Sequence, residues 1–96
     1  MGLEIKWTKR AASGYGKILK YLDKKWTSKE IENFEQEVKL FFQHLSEYPE
    51  LLKPSSKQDI RSGPINKHTI LTYRIKPRKN EIQLLNIRGS KQKALK

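Results

Sequence analysis

The apolar positions change period twice along the 96-residue chain. Leu3, Ile5 and Trp7 alternate with Glu4, Lys6 and Thr8, the period of a strand with one buried face. From Ala11 the period becomes helical: Ala11, Ala12, Tyr15, Ile18, Leu19, Leu22 and Trp26 share one side, with Thr8 in the N-cap position. Gly14 and Gly16 should each weaken this helix by about 1 kcal/mol relative to alanine. A second helix opens at Thr27, where Thr27 and Glu30 have the spacing of a capping box. Ile31, Phe34, Val38, Phe41, Phe42 and Leu45 form its apolar stripe. Helices over 9–25 and 28–47, joined by a tight turn, predict an antiparallel hairpin. Pro49 and Pro54 bracket a loop that ends the helical half.

After that loop the alternation returns. Residues 57–65 form a weak strand, broken by Ser62-Gly63-Pro64. Thr69, Leu71, Tyr73 and Ile75 alternate with Ile70, Thr72 and Arg74, which predicts a strand near 68–76. Pro77 to Asn80 is a turn, and Glu81 to Ile87 is the next strand, whose Leu84-Leu85 pair predicts partial cover on both faces. The expected fold is α+β: a two-layer domain of β-α-α-β-β-β order, with the helix hairpin on one face of a mainly antiparallel sheet. It is one domain over 1–96, in which 89–96 is a basic tail, mobile at its end. Leu71, Tyr73, Phe34, Val38 and Phe41 are expected to be buried together. Trp7 and Trp26 are read as core anchors rather than as platforms for stacking bases.

Charge adds what periodicity does not. Residues 53–96 hold twelve basic and two acidic groups, a net of +10. Residues 1–52 hold nine and eight, so nearly all of the formal +11 lies in the second half. Such a field concentrates polyanions or an acidic partner protein. The basic residues of the first helix (Lys9, Arg10, Lys17, Lys20, Lys24) are read as a solvated face. With no cysteine and two distant histidines, His44 and His68, neither thiolate chemistry nor a metal site is expected. No cofactor and no small-molecule substrate are expected either, since so short a chain builds no deep cavity. Lys6, Lys9 and Arg10 interrupt any signal-peptide core, and no apolar run approaches the roughly 20 residues of a membrane span, so a cytoplasmic location is expected.

Several local motifs resemble the RelE/ParE superfamily of toxins from toxin–antitoxin systems. They are Trp7-Thr8-Lys9-Arg10-Ala11 closing the first strand, and Ile18 with Tyr21-Leu22 before Trp26. Phe34, Leu45 and Pro49 belong to the second helix and its exit. Ile60-Arg61, Lys67-His68-Thr69-Ile70-Leu71-Thr72-Tyr73-Arg74-Ile75, and Ile82 to Ile87 leading to Lys91-Gln92 complete the set. The Lys-His-x-x-Leu-x-Tyr-Arg-Ile strand looks like the ParE-side branch labelled plasmid stabilisation proteins. The resemblance implies a toxin with a cognate antitoxin, usually a largely acidic, flexible segment that wraps it. On the ParE side the target is DNA gyrase, inhibited without evident catalysis. On the RelE side it is mRNA, cut inside the ribosome.

Cutting RNA requires a group that takes the 2′-hydroxyl proton, one that protonates the leaving oxygen, and cations for the phosphorane. Cations are plentiful. The resemblance places an arginine where this chain has Ile70, and a tyrosine or histidine in the C-terminal segment, where this chain has only Ser90 to Lys96. Both departures favour the ParE reading over a metal-independent endoribonuclease. If the chain were a nuclease, Arg61, His68, Arg88 and Lys91 are the catalytic candidates, with His68 as base. The plainer reading of His68 is a strand-edge side chain. Arg61, Lys67, Arg74, Arg78, Arg88, Lys91 and Lys93 are the candidates for binding a partner or nucleic acid. Arg74 shares its parity with Ile70 and Thr72, opposite the Leu71-Tyr73-Ile75 set, so it should face away from the helices. A generic nucleic-acid-binding domain is a third reading, although no helix-turn-helix, RRM or zinc signature is present. An inactive toxin homologue is a fourth.

Overall fold

The apolar stripes and alternations translate into two layers in a computed structural model, which describes residues 2–55 and 59–89. Strand β1 is Glu4–Trp7, helix α1 Lys9–Asp23, helix α2 Ser28–Glu47, β2 Lys53–Pro54, β3 Ile60–Asn66, β4 Thr69–Lys76 and β5 Glu81–Gly89. The basic tail with Lys91 and Lys93 lies outside the described residues. The strands form one five-stranded sheet in the order β1-β5-β4-β3-β2. β1 runs parallel to β5, and the other neighbours are antiparallel.

Local chemistry explains the helix boundaries. The Thr8 hydroxyl accepts from the Ala11 N–H at 3.1 Å and donates to the Leu84 carbonyl at 2.7 Å, so one side chain caps α1 and ties it to β5. At α2 the capping box is complete: Thr27 Oγ1 accepts from the Glu30 N–H at 3.2 Å, and Glu30 Oε1 accepts from the Thr27 N–H at 2.9 Å. Between β4 and β5, Pro77–Lys79 makes one 3₁₀ turn, and Asn80 closes it in the left-handed region at φ 57°.

The buried residues form one cluster. Ala11, Ile18 and Leu22 of α1 and Phe34, Val38 and Leu45 of α2 meet Leu71, Tyr73, Ile82, Leu84 and Ile87 of the sheet. Two expected core members sit further out. Phe41 is only partly buried, and Trp7 is 43% exposed, leaning on Tyr15 and Phe42 at centroid distances of 5.8 and 5.5 Å. Trp7 lies on an edge strand, so nothing covers its outer side.

Three details of the sheet differ from the sequence reading. The loop between Pro49 and Pro54 contains a short strand, β2, whose Lys53 and Pro54 pair with Ser62 and Arg61. β3 continues through Ser62-Gly63-Pro64, with a register shift only between Pro64 and Asn66. Its Pro64 is tolerated because β2 stops short of it, leaving an open edge that needs no N–H donor there. Finally, Leu84 is buried and Leu85 half-buried, and the pair has a cause the alternation did not show. Thr72 pairs with Asn86 and Tyr73 with Leu84, so Leu85 is the extra residue of a β-bulge. The bulge resets the parity and lets both Leu84 and Ile87 point into the core.

One buried polar atom tests this packing. Thr69 is fully buried and its hydroxyl has no hydrogen-bond partner. An unpaired buried hydroxyl costs about 1–3 kcal/mol. Thr69→Val is therefore expected to raise stability by about 1 kcal/mol, read as a higher midpoint in urea at unchanged slope.

Candidate partner-binding face

The helices cover one side of the sheet. On the other, strand register sets side chains out in rows. Pro64, Ile70 and Arg88 form the first row, and Lys53, Ser62, Thr72 and Asn86 the second. Ile60, Arg74, Gln83 and Lys6 form the third, and Lys76, Glu81 and Glu4 the fourth. No described helix packs against this face. Ser62 and Thr72 share a hydroxyl–hydroxyl hydrogen bond of 3.1 Å at its centre. Its basic side chains outnumber the acidic Glu4 and Glu81, and Glu4 is already bound to Lys6 at 3.1 Å. Arg74 is exposed, as its parity predicted. Arg88 is half-buried, and its Nη1 is buried with no hydrogen-bond partner. That guanidinium nitrogen is an unsatisfied donor at the edge of the face.

The remaining candidates do not gather around these two arginines. Arg61 pairs with Tyr73, so it lies on the helix side of β3, where its Nη1 donates to the Leu52 carbonyl at 2.7 Å. Its work is to fasten the loop between α2 and β2. Tyr73 does the same from below. Its buried hydroxyl donates to the Pro49 carbonyl at 2.6 Å and receives the Leu52 N–H at 3.4 Å. Burial pushes the Tyr73 phenol up from its ordinary value, although the Leu52 N–H and Arg61 pull the other way. Tyr15, under α2, is raised by burial and by the Glu35 charge. The fastening roles of Arg61 and Tyr73 were not legible from strand alternation, because their partners are backbone groups of an irregular loop.

His68 occupies a third place. It sits in the turn before β4, its N–H donating to Asn66 Oδ1 at 2.9 Å, its ring edge-on to Trp26 at 5.0 Å. Together with Trp26, Glu30, Asn33, Phe34, Glu37, Asn66 and Lys67 it lines a notch of about 390 Å³ between the helix turn and the β3–β4 turn. Neither Arg61 nor Arg88 lines that notch. Lys67 and Arg78 are exposed in turns at opposite ends of β4. Of the nuclease candidates, Arg61, His68 and Arg88 therefore fall in three separate environments, and Lys91 is outside the described residues. Among the described residues no cluster of histidine, cysteine and carboxylates could hold a metal. Among the described residues no helix is long and apolar enough to cross a membrane.

The two-layer fold, with its helix hairpin on one side of an open sheet, is shared with solved structures of toxin–antitoxin systems. The chain superimposes on a structure of a chromosomal ParDE toxin–antitoxin system from P. aeruginosa at 20% identity and a TM-score of 0.73, covering 91% of this chain and 95% of that one. It also superimposes on the RelBE2 toxin–antitoxin complex of Mycobacterium tuberculosis at 17% identity and a TM-score of 0.64, covering 93% and 92%. The solution structure of a conserved hypothetical protein from Helicobacter pylori, HP0894, follows at 16% identity and a TM-score of 0.55, covering 93% and 96%. No curated protein matches the sequence. Residues 5–94 match the model of the ParE toxin of type II toxin–antitoxin systems, parDE, and the chain belongs to that family.

Proposed function

We propose that this toxin acts by binding, in the cytoplasm, with DNA gyrase as its target, and that an acidic antitoxin neutralises it on the uncovered sheet face. The observation that carries the antitoxin site is the pair Arg74 and Arg88: one exposed, the other with a buried guanidinium nitrogen lacking an acceptor. A flexible acidic segment laid across β4 and β5 would pair with Arg74, draw the Arg88 guanidinium outward to a carboxylate, and cover Ile70 and Ile60 beside them. The match to the ParE model over residues 5–94 supports gyrase rather than the ribosome. The dispersal of Arg61, His68 and Arg88 supports binding rather than cleavage, since proton transfer and phosphorane stabilisation need those groups around one phosphate.

Calorimetry with the acidic product of the neighbouring gene tests the antitoxin site. Arg74→Glu and Arg88→Glu are each expected to weaken binding at least tenfold, and wild-type affinity should fall with salt. Lys20→Glu and Lys24→Glu, on the outer side of α1, should change it by less than about twofold. Equal losses from both sets would place the surface elsewhere. Arg61→Glu should instead show first as lost stability, because Arg61 holds the Leu52 carbonyl. For the target, inhibition of gyrase supercoiling that the antitoxin relieves is the expected result. Codon-position cleavage of ribosome-bound mRNA, abolished by His68→Ala, would overturn it and make the chain an endoribonuclease.

A further inference from the structure

The near-neutral first half of the chain conceals a separation of charge. Residues 1–29 hold eight basic groups and two acidic ones, Glu4 and Asp23. Residues 30–52 hold one basic group, Lys39, and six acidic ones. α1 is thus strongly cationic and α2 anionic, yet the two do not neutralise each other. α1 packs mainly on β5 and touches α2 little. Lys9, Arg10, Lys17, Lys20 and Lys24 are all exposed, and among the described residues none lies within ion-pair distance of a carboxylate.

Their arrangement is regular. Arg10, Lys17 and Lys24 follow one another at seven-residue intervals, two turns apart, and so form a row. The row spans about 21 Å, with cations about 10.5 Å apart, at the 1.5 Å rise of a helix. Lys9 and Lys20 stand beside it. Ala11, Ile18 and Leu22 are buried, and Ala11 and Ile18 each directly follow a member of the row, about 100° round the helix, so the row lies along an exposed flank of α1. Ser13 and Gly16 between the cations are small, and Gly16 borders open space. A convex ridge of evenly spaced cations, with Tyr21 beside Lys17 and Lys24 as a large exposed neighbour, can meet a rod of phosphates.

We propose that the outer row of α1 binds the backbone of duplex nucleic acid, without reading bases, through a surface separate from the sheet face. Cations about 10.5 Å apart along a helix suit the opposite rims of a groove about 12 Å wide. The row carries no glutamine, asparagine or arginine pair presented for bidentate base contacts, and Arg10 is its single guanidinium. An anionic membrane fits less well. A helix lying on a bilayer buries an apolar side in it, and the apolar side of α1 is already in the core. Of its larger side chains only Tyr21 is well exposed, and that ring is beneath the Lys25 ammonium at 5.7 Å. This inference stands apart from the toxin reading, because its test uses neither gyrase nor antitoxin.

The test is fluorescence anisotropy of the full chain with a short labelled duplex of arbitrary sequence, from about 50 to about 200 mM salt. Wild type is expected to bind with a steep salt dependence. The triple variant Lys17→Gln, Lys20→Gln, Lys24→Gln keeps good helix formers at exposed positions, so its circular dichroism should match wild type. It should lose roughly tenfold or more in affinity, and its salt slope should become shallower by about 2–3, close to 0.9 per lost phosphate contact. The sheet-face variant Arg74→Gln, Arg88→Gln should stay within about twofold of wild type. Absence of duplex binding by the wild type overturns the proposal. So does an equal loss from the sheet-face variant. Binding to phosphatidylglycerol vesicles in preference to the duplex would overturn it in favour of a membrane surface.

Discussion

Gly14→Ala is expected to be among the most damaging single substitutions in this chain, while Gly16→Ala, two residues away, should stabilise it. A Cβ on Gly14 would lie 2.0 Å from the Ile87 carbonyl oxygen, inside any permissible contact. That oxygen belongs to the backbone of β5, where Ile87 is paired with Leu71 of β4 beyond the end of the β1 pairing at Leu84, so a backbone group rather than a flexible side chain must give way. Relief must come from lifting α1 off the sheet, which opens the Ala11, Ile18 and Leu22 contacts together. Over-packing costs typically about 1–3 kcal/mol, and a strand-backbone obstacle puts this case at or beyond the upper end. Small domains have only about 5–15 kcal/mol in total. Gly16 faces open space, so alanine there gains about 1 kcal/mol of helix propensity and meets nothing. Urea titrations of the two variants are the check. Equal effects would mean that α1 does not approach β5 as closely as described.

Phe34→Ala and Leu71→Ala should come next, and Phe41→Ala should be clearly milder. Phe34 is 2% exposed and Leu71 fully buried. Phe34 also joins two aromatic neighbours, stacking on Tyr15 at 6.3 Å and meeting Trp26 edge-on at 6.0 Å. Truncation removes that contact and leaves a cavity between the layers, at a cost of about 3–5 kcal/mol for phenylalanine and 2–5 kcal/mol for leucine. Phe41 sits toward the outside of α2, against Phe42 at 6.1 Å, and is only partly buried. Its cavity would open to water, so its loss should cost no more than about 2 kcal/mol. Unfolding midpoints measured at constant slope would rank the three. A Phe41 variant as unstable as Phe34→Ala would contradict this packing. Because Trp26 also holds His68, Phe34→Ala should loosen the β3–β4 turn, which amide exchange of Lys67 and His68 would report.

The candidate surface was partly legible in the chain. Arg74 follows from strict alternation with Leu71, Tyr73 and Ile75, and the structure places it on the uncovered face. Arg61 could not be placed in that way, because its side depends on the register of a hairpin whose turn includes the Pro64–Asn66 irregularity. Arg88 depends on the Leu85 bulge: without it, Arg88 would share a face with Leu84 and Ile82. His68 lies in a turn, and a turn has no periodicity to read. Its contact with Trp26 joins residues far apart in the chain.

The sequence by itself determined the element types, the two helix starts and the identity of most of the core. These rest on local physics: a period of two or of 3.6, and caps formed within three residues. Tertiary structure decided what depends on two distant backbones meeting. It placed β1 beside β5 rather than beside its chain neighbours, and turned Gly14 from a helix weakness into a contact point. It also decided which basic residues share a surface. Charge composition reports a sum, and the sum over residues 1–52 is close to zero. Only the way α1 docks on β5, with its cations turned outward and the acids of α2 kept apart, shows that this small sum is two opposite fields.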